Sequence, residues 1–492
     1  MAKEEKQGIT AKKSEDFSEW YSQIVFKAGL ADIRYGVQGF IVHMPWGFKI
    51  LRKIYEYFEE EVEREGHEPF LFPLVIKKEN LEKEKEHAGF APDVFWVTKA
   101  GDKMIEEEVA LRPTGETQIY PIYSLWIRSH NDLPYKGYQS RICTYRNEKT
   151  TRPFLRGREF MFFETHDVFS THEQALNQVE TDLEICKKVI LGKLKIPFLF
   201  FKRPQWDKFK GAVNTFTPDT MMPDGKRNQI ASTHDLGQNF SKAYNIQFSD
   251  DEGNKNYGWQ TCFGPGIWRN MAALIGIHGD DKGLVLPFDV SPIQIVIVPI
   301  TFADKEKKSK QVMEASKALE HKLKKLGYRA KFDDSNETPG FKYNKWELRG
   351  VPLRIEIGPK EIETNKLSIA LRTEGKKTIA TKDLDKEIKN LSKQIDEDIE
   401  QRAKNYFKNN TRGAESFAEL KRLIKDYKGF VKAPFCSVDK DGGKCADTLK
   451  AETEGANICG TLYPVEEKVK DNQRCVVCQN KAKHIVYVAK SY

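Results

Sequence analysis

Hydrophobic residues near the beginning of the chain recur with the period of a helix. They are three or four residues apart and would share one helical face: Phe48, Leu51, Ile54, Phe58 and Val62. This spacing predicts a helix over Phe48–Glu65 that ends at Gly66. The apolar run Phe70–Val75 then predicts a buried strand. Pro73 cannot donate a ladder hydrogen bond, which favours a sheet edge or a seam between subunits.

The pattern changes twice further along the chain. Between Val109 and Val285, strand-like runs alternate with glycine-containing turns, which predicts a large antiparallel sheet. From Leu286 onward, alternating strands and helices predict a compact α/β domain. Its expected elements are strands Ile293–Val298, Leu353–Ile357 and Leu367–Leu371, a lysine-rich helix Lys305–Lys325 and a helix from Asp383. The polar stretch Lys408–Gly413 is typical of a linker, so we expect domains at residues 1–287, 288–405 and 410–492.

Composition narrows the class of protein. The 492 residues carry 80 basic and 72 acidic side chains, a net charge of +8. This surplus suits an anionic partner, although mixed charge is also common in proteins that are merely well solvated. The N-terminal segment lacks the apolar core of a secretory signal, and the longest apolar run, Ile293–Ile300, is too short to span a bilayer. We therefore expect a soluble, cytoplasmic protein without a membrane partner.

The most informative residues follow the pattern Arg-x-Glu, a polar loop, then Arg-x-x-x-Phe. Two antiparallel strands arranged in this way would bring Arg146, Glu148, Arg156 and Phe160 around one pocket. Taken alone, the pattern also fits a surface hairpin held by salt bridges.

Together with two other segments, this hairpin resembles motif 2 of the class II aminoacyl-tRNA synthetases. Phe48–Pro73, a long helix and a strand ending in proline, is similar to motif 1, which forms the dimer interface of that class. Gly264–Arg269, followed by the helical Asn270–Gly276, resembles motif 3, although Pro265–Trp268 replaces a threonine-rich approach to the arginine. The three motifs also stand in the order of the class.

Four further segments resemble the archaeal and eukaryotic type of prolyl-tRNA synthetase: Leu111–Thr117, Gln229–Ser241, His278–Pro287 and Trp346–Arg354. The resemblance covers nearly the whole chain after residue 15, with no large editing insertion between motifs 2 and 3. It implies an α+β fold: an antiparallel-sheet catalytic domain, an α/β anticodon-binding domain and a small zinc-binding C-terminal domain. It also implies a homodimer formed through motif 1 that activates L-proline with ATP to prolyl-adenylate and transfers proline to tRNA(Pro).

The resemblance assigns residues to the activation step. Arg146 and Arg269 are the expected catalytic residues, and Arg146 would bridge the proline carboxylate and the α-phosphate of ATP. Thr114 and Glu116 would accept hydrogen bonds from the secondary ammonium of proline, and His234 would line its ring pocket. A simpler interpretation of His234 is a buried, hydrogen-bonded core histidine.

A second group is expected to hold ATP. Glu148 would accept the adenine amino group, Phe160 and Arg269 would enclose the ring, and Arg156 would contact the distal phosphates. Mg²⁺ would neutralise the remaining phosphate charge. Ser232 stands where the family usually has threonine, which keeps the hydroxyl. The full set expected for ATP is Arg146, Glu148, Arg156, Gly157, Phe160, Gln229, Ser232 and Arg269.

Five of the eight cysteines follow residue 435, which indicates a metal site rather than a disulfide framework. Cys475 and Cys478 form a Cys-x-x-Cys knuckle, and two such thiol pairs would make a tetrahedral Zn²⁺ site. By resemblance, the other pair is Cys436 and Cys445. The spacing of this pair is longer than usual for the family, so Cys459 remains an alternative to Cys445.

Four residues of the α/β domain match positions that contact the anticodon in the family: Glu347, Arg354, Lys360 and Glu361, the last usually an aspartate. Proline anticodons share two adjacent guanines, whose donors suit carboxylates and whose O6 and N7 acceptors suit Arg or Lys. The alternative is a set of salt bridges on a solvated sheet edge. The end of the chain, Lys490–Tyr492, also resembles the family, whose terminal carboxylate lies near the active site.

Three other classes of protein share part of this pattern. A seryl-tRNA synthetase shares the Thr-x-Glu loop but needs a long N-terminal coiled coil, and fewer than 50 residues precede the motif 1 helix here. A threonyl enzyme would place a metal-binding cysteine and histidines in the pocket, and Arg112–Thr117 offers none. A catalytically silent relative that binds tRNA or amino acid as a regulator is disfavoured by the intact Arg146, Glu148 and Arg269.

Overall fold

The computed structural model describes residues 8–82, 93–302 and 306–492, and its largest feature is a sheet of twelve strands. The strands between Tyr135 and Pro265 pair antiparallel, which confirms the expected α+β fold with an antiparallel catalytic sheet. In spatial order the sheet contains Thr411–Gly413, Phe430–Phe435, His484–Ala489, Asn457–Leu462, Leu199–Lys202, Asn214–Met221, Ala231–Gly237, Trp259–Pro265, Glu159–Phe169, Tyr135–Tyr145 and Glu68–Pro69, with Arg227–Gln229 paired beside Asn214–Met221.

The amphipathic helix predicted over Phe48–Glu65 is confirmed as Pro45–Arg64. Its apolar face packs on the catalytic sheet, where the ring centroids of Phe58 and Phe163 are 6.1 Å apart. Gly66 follows the helix with a φ of 87°, a conformation that glycine adopts without strain. This packing covers one face of the sheet and leaves the other for the cavity described below.

The segment Phe70–Val75, predicted as a buried strand, is not one. Strand Glu68–Pro69 ends before it, and the next strand, Val75–Lys77, begins only at its last residue. Phe72 is buried, whereas Leu71 is 78% exposed. The prediction was wrong because an apolar run does not reveal which of its side chains face the core.

A second sheet of five strands forms the α/β unit. Its order is Ala330–Phe332, Ile295–Pro299, Leu353–Ile357, Lys366–Leu371 and Lys376–Ala380, the first three parallel and the others antiparallel. Helices Glu306–Lys325, Pro339–Leu348, Pro359–Thr364 and Leu384–Asn409 pack against it. The predicted alternation of strands and helices is therefore confirmed. Residue 305, where the predicted lysine-rich helix begins, lies outside the described residues.

The C-terminal strands extend the catalytic sheet. Asn457–Leu462 pairs antiparallel with Leu199–Lys202, and the Arg203 guanidinium donates to the carbonyl oxygen of Cys459 at 2.9 Å. Helices Phe417–Asp426 and Gly443–Glu452 accompany these strands. The end of the chain is thereby attached to the strands that carry the cavity.

The stretch Lys408–Gly413 is not a linker, as its polar composition predicted. Helix Leu384–Asn409 continues into it, and Thr411–Gly413 then pairs in parallel with the beginning of Phe430–Phe435. Thr411–Gly413 is the edge strand of its sheet. Edge strands are often short and polar, so their composition does not distinguish them from a loop.

The other elements are short. Among the described residues, no helix combines the length and apolarity needed to cross a bilayer. The remaining helices are Phe17–Lys27, Glu116–Trp126, His172–Cys186, Asn239–Tyr244 and Ile267–Ala273, with π-helical turns at Lys187–Lys193 and Leu274–His278. The remaining strands are Ala31–Asp32 with Val42–His43, Val75–Lys77 with Lys103–Leu111 and Trp96–Ala100, and Gln247–Ser249 with Lys255–Tyr257.

Gly460 tests the joint between the C-terminal strands and the catalytic sheet. Its φ is 137°, and a Cβ atom there would lie 2.2 Å from the carbonyl oxygen of Lys202. We expect Gly460→Ala to lower the free energy of unfolding by roughly 2–5 kcal/mol, from backbone strain plus overpacking. The matched control Gly455→Ala, at a φ of 101° with open space around it, should show the strain alone, about 1–3 kcal/mol. Equal losses in denaturant titrations would contradict the close approach.

Candidate active site

One cavity of about 450 Å³ opens on the face of the catalytic sheet. It collects every residue that the sequence assigns to proline or ATP, although the sequence positions span more than 150 residues. The cavity is lined by Thr114, Glu116, Arg146, Glu148, Arg156, Gly157, Phe160, Gln229, Ser232, His234 and Arg269.

The motif 2 hairpin places two of its charged residues at one end of the cavity. Strands Tyr135–Tyr145 and Glu159–Phe169 pair antiparallel, and the Arg146 amide donates to the carbonyl oxygen of Arg158 at 3.0 Å just beyond the paired region. Glu148 and Arg156 lie across the loop from each other, with Oε2 and Nε 3.3 Å apart. The loop therefore holds an acceptor and a cation in contact.

Arg269 reaches the same cavity from the motif 3 helix, Ile267–Ala273. Its guanidinium donates to the carbonyl oxygen of Gln229 at 3.2 Å. Burial lowers the pKa of Arg269 to about 10, and the positive charge of nearby arginines such as Arg146 contributes to this decrease. The carboxylate of Asp219 acts in the opposite direction. At neutral pH the group still carries its charge.

Two further arginines line the cavity that the sequence did not single out, Arg203 and Arg227. Both bind Asp219, whose Oδ2 lies 3.1 Å from Arg203 Nη2 and 3.1 Å from Arg227 Nη1. Arg203 also donates to Oε1 of Gln229 at 2.9 Å. No motif links these strands in sequence, and only their pairing in the sheet brings them to the cavity.

The wall beside the hairpin is aromatic. Phe160 packs against Trp268, with ring centroids 5.1 Å apart. A Cβ atom on Gly157 would lie 2.6 Å from the Trp268 ring, so this position requires glycine. Phe160 remains half-buried at the cavity wall, where a planar ring can stack on it.

The amino-acid end of the cavity contains the Thr-x-Glu loop, and Arg146 Nε donates to the carbonyl oxygen of Pro113 in this loop at 3.3 Å. Thr114 Oγ1 donates to Glu116 Oε2, and Glu116 is buried in the first turn of helix Glu116–Trp126. The Cys262 thiol lies 3.7 Å from Glu116 Oε1. A Cβ atom on Gly115 would collide with the Glu164 carboxylate, which explains the glycine between the two acceptors.

His234 is both a hydrogen-bonded buried residue and a cavity residue. Its Nδ1 lies 2.9 Å from Thr215 Oγ1 and its Nε2 lies 3.1 Å from Ser232 Oγ. Phe209 packs on the ring at 4.7 Å between centroids. Burial lowers the pKa of His234 to about 3, with Arg203 contributing, so the imidazole is neutral.

A buried pair at this end was also missed by sequence reasoning. His166 Nε2 lies 2.9 Å from Glu164 Oε2, and its Nδ1 lies 3.0 Å from the Tyr120 hydroxyl. Burial lowers the pKa of His166, but the carboxylates of Glu164, Glu116 and Asp167 together raise it overall. Both residues lie on strand Glu159–Phe169, after the motif. They are two positions apart, and this spacing predicts that their side chains point to the same face of the sheet.

The four residues matched to anticodon contacts lie in the second sheet and its helices. Arg354 Nη1 is 3.8 Å from Glu347 Oε1, and the guanidinium lies 3.9 Å from the centre of the Tyr343 ring. Lys360 is exposed, and Glu361 accepts a hydrogen bond from the amide of Gly358 at 3.0 Å. The salt-bridge alternative thus describes part of the arrangement, since Arg354 pairs with Glu347.

The sulfur atoms of Cys436, Cys445, Cys475 and Cys478 all lie within 4.8 Å of one another. Cys459 is buried elsewhere, in a cluster with aromatic side chains such as Phe201 and Tyr487. The geometry therefore selects Cys445 rather than Cys459 as the fourth thiol. Four convergent thiols are the donor set of a structural zinc site.

The last residues of the chain reach the edge of the cavity. The Arg227 amide donates to the carbonyl oxygen of Lys490 at 2.8 Å, and the Tyr492 hydroxyl donates to Asp224 at 2.6 Å. Ser491 and Tyr492 line a small adjoining pocket together with Arg156, Asn228 and Arg269.

Comparisons with known proteins agree with this arrangement. Family models match three parts of the chain: a tRNA synthetase class II core domain (G, H, P, S and T) at residues 95–278, an anticodon binding domain at 294–391 and the C-terminal region of prolyl-tRNA synthetases at 417–492. A proline–tRNA ligase from Thermofilum pendens is 53% identical over 99% of both chains. One from Pyrococcus abyssi is 40% identical over 97% of this chain and 98% of its own.

Solved structures extend the similarity to the fold. The prolyl-tRNA synthetase of Giardia lamblia in complex with prolyl-adenylate is 33% identical, with a TM-score of 0.94 over 98% of this chain and 100% of that one. The enzyme of Cryptosporidium parvum, complexed with halofuginone and AMPPNP, is 33% identical with a TM-score of 0.90, over 99% and 98% of the two chains. The chain belongs to the prolyl-tRNA synthetase family of the class II aminoacyl-tRNA synthetases.

Proposed function

We propose that this enzyme activates L-proline with ATP to prolyl-adenylate and transfers proline to the 3′ end of tRNA(Pro), releasing AMP and pyrophosphate. The observation that carries the proposal is one cavity lined both by the buried carboxylate of Glu116 and by the guanidinium groups of Arg146 and Arg269. A buried carboxylate suits the ammonium of an amino acid, and fixed cations suit its carboxylate and the phosphates.

The first step requires charge stabilisation more than proton transfer. The carboxylate of proline is already ionised at neutral pH, so its oxygen attacks the α-phosphorus without a general base and pyrophosphate leaves. Two anions must approach each other, and negative charge accumulates on the phosphoryl oxygens. Arg146 and Arg269 are placed to stabilise that charge from fixed positions.

The amino-acid end recognises a secondary ammonium and an apolar ring. Thr114 and Glu116 supply the acceptors, and the existing bond from Thr114 to Glu116 keeps both oriented towards the cavity. His234, neutral and held by Thr215 and Ser232, forms a wall that adds no positive charge beside the ammonium. These features favour proline over amino acids with charged or larger side chains.

The nucleotide end uses Glu148 and Arg156, whose Oε2 and Nε atoms lie 3.3 Å apart. Glu148 accepts the adenine amino group, and Arg156 binds the distal phosphates. Phe160 and Arg269 enclose the adenine, and Gly157, Gln229 and Ser232 complete the set. Mg²⁺ bound with ATP would screen the repulsion between its phosphates.

Domain division, assembly and location are part of the same proposal. We assign residues 1–287 to catalysis, 288–405 to the anticodon and 410–492 to the zinc-binding domain. Leu71, 78% exposed, and Phe48, 42% exposed, leave apolar surface at motif 1 that a homodimer would cover. Charged tRNA is consumed at ribosomes, which favours the cytoplasm.

Zinc would be held by Cys436, Cys445, Cys475 and Cys478. Their sulfur atoms are already close enough for one tetrahedral ion, which fits the donor set that Zn²⁺ prefers. The ion would cross-link the knuckle to the helix Gly443–Glu452 and stabilise the fold, with no part in the reaction.

Alanine variants test the role of the arginines. Arg146→Ala and Arg269→Ala should each reduce proline-dependent ATP–pyrophosphate exchange by ~10²–10³-fold or more, because one preorganised donor is worth about that much. Arg141→Ala is the matched control on the same hairpin, since Arg141 pairs with Glu59 outside the cavity and should retain activity. Near-normal exchange in Arg146→Ala would refute the mechanism.

Metal analysis tests the cysteine cluster. The purified protein should contain about one zinc ion per chain, and Cys475→Ser or Cys445→Ser should lose it. Cys459→Ser should retain zinc because Cys459 lies in a separate apolar cluster. A folded wild-type protein without zinc, or zinc loss confined to Cys459→Ser, would show that the site is assigned wrongly.

Variants of the α/β unit test anticodon recognition. Lys360→Ala and Glu347→Ala should weaken charging of tRNA(Pro) by ~1–3 kcal/mol per lost base contact. Proline-dependent exchange should stay unchanged, because no tRNA takes part in it. The comparison tRNA has one anticodon guanine replaced. If the wild type fails on that tRNA while both variants charge normal tRNA(Pro) fully, these residues do not read the anticodon.

A further inference from the structure

The sheet that carries the cavity has a second face with polar groups on three neighbouring strands. Successive residues of a strand point to opposite faces, so the neighbours of the cavity residues His166, His234 and Cys262 point away from the cavity. These neighbours are at most 1% exposed: Asp167, Thr233 and Thr261.

Asp182 approaches this face from helix His172–Cys186 and accepts two hydrogen bonds. Thr233 Oγ1 donates to Oδ2 at 2.6 Å, and Gln178 Nε2 donates to Oδ1 at 2.9 Å. Burial raises the pKa of Asp182 to about 7, and the nearby Asp167 carboxylate adds to this effect. The carboxyl group ties the strand of Thr233 to the helix behind the sheet.

His67, just after helix Pro45–Arg64, contacts Asp167 from another side. Its Nδ1 lies 2.9 Å from the carbonyl oxygen of Val62, which only accepts hydrogen bonds, so Nδ1 carries a proton. Its Nε2 lies 3.2 Å from Asp167 Oδ1. Burial lowers the pKa of His67, but Asp167, Asp182 and the Val62 carbonyl together raise it above its ordinary value. The other oxygen of Asp167 accepts from Thr261 Oγ1 at 3.2 Å.

This network reaches the amino-acid end of the cavity through single backbone steps. Thr233 precedes His234, and Asp167 follows His166. Ser232, which is assigned to ATP, adjoins Thr233 as well, but its hydroxyl contacts Nε2 of His234 at 3.1 Å and so borders the amino-acid end. The expected adenine contacts, Glu148 and Phe160, lie at the far end of the hairpin, several residues from Asp167. A shift of the networked strands should therefore disturb proline binding more than ATP binding.

We propose that Thr233, Asp182 and the His67–Asp167 pair are positioning residues that fix the amino-acid end of the cavity from behind the sheet. The proposal rests on the proposed function, because it assigns that end to proline. It differs from a role in stability alone, since a stabilising contact would affect both substrates or neither.

Thr233→Val tests the proposal by removing one hydroxyl while keeping the shape and strand preference of the side chain. In proline-dependent exchange, KM for proline should rise about tenfold and KM for ATP should change less than about twofold, because a small misplacement of binding groups is costly. Thr233→Ser restores the hydroxyl and should return the proline KM to the wild-type value.

Thr165→Val is the matched control. Thr165 is a buried residue of strand Glu159–Phe169, and its hydroxyl has no hydrogen-bond partner within the described ranges. This variant should bind both substrates like the wild type. If Thr165→Val and Thr233→Val behave alike, the hydroxyl bond to Asp182 does not position the cavity.

Other results also decide the matter. An unchanged proline KM in Thr233→Val, or an equal rise in both KM values, would overturn the proposal. If Thr233→Val does not fold, Thr261→Val breaks the neighbouring bond to Asp167 and should likewise raise KM for proline more than KM for ATP. A Thr261→Val variant without this difference would overturn the proposal equally. Wild-type protein without exchange activity would instead refute the proposed function, and with it the role of the network.

Discussion

The active site depends on how Asp219 distributes the positive charge of the arginines around the cavity. Its carboxylate binds Arg203 and Arg227, each at 3.1 Å, and so fixes two cations at the base of the cavity. Burial lowers the pKa of Arg269 to about 10, and the neighbouring guanidinium groups add to this effect, which Asp219 offsets only in part. Repulsion among these cations is relieved when anions enter, so the site favours the phosphates and carboxylate that must react together.

The twelve-stranded sheet determines where these charged side chains lie. Its antiparallel strands bring residues from distant parts of the chain to one face, and the C-terminal strands continue the same sheet to the cavity edge. The α/β unit is attached by polar contacts: the Arg372 guanidinium lies 2.5 Å from Asp280, and Trp46 Nε1 donates to the carbonyl oxygen of Arg349 at 3.1 Å. Catalytic and tRNA-binding parts therefore share fixed contacts rather than a flexible connection.

Residues whose partners are close in sequence could be predicted, whereas those that depend on distant pairing could not. The hairpin around Arg146 and the helix Pro45–Arg64 show local periodicity, and the three motifs together identify the cavity. Arg203 and Phe209 enter the cavity only because their region pairs with strands from other parts of the chain. The same reason explains why Thr411–Gly413 resembles a linker in sequence.

The cysteines also show what could not be predicted from the sequence. Spacing alone left Cys445 and Cys459 as alternatives, because both stand between the first thiol and the knuckle. Tertiary structure separates them, since Cys459 lies in the strand that joins the catalytic sheet while Cys445 approaches Cys436 to 3.7 Å. A metal site is a three-dimensional arrangement, and a sequence reports only the order of its ligands.

The central claim is that the cavity accepts proline and ATP together and joins them. Its most direct test is ATP–pyrophosphate exchange by the wild-type protein, with each of the twenty amino acids supplied singly. We expect strong exchange with proline, and weak exchange at most with slightly smaller amino acids such as alanine, since an apolar pocket discriminates against these by only about 10–200-fold. Absence of exchange with proline, or a stronger response to another amino acid, would contradict the account.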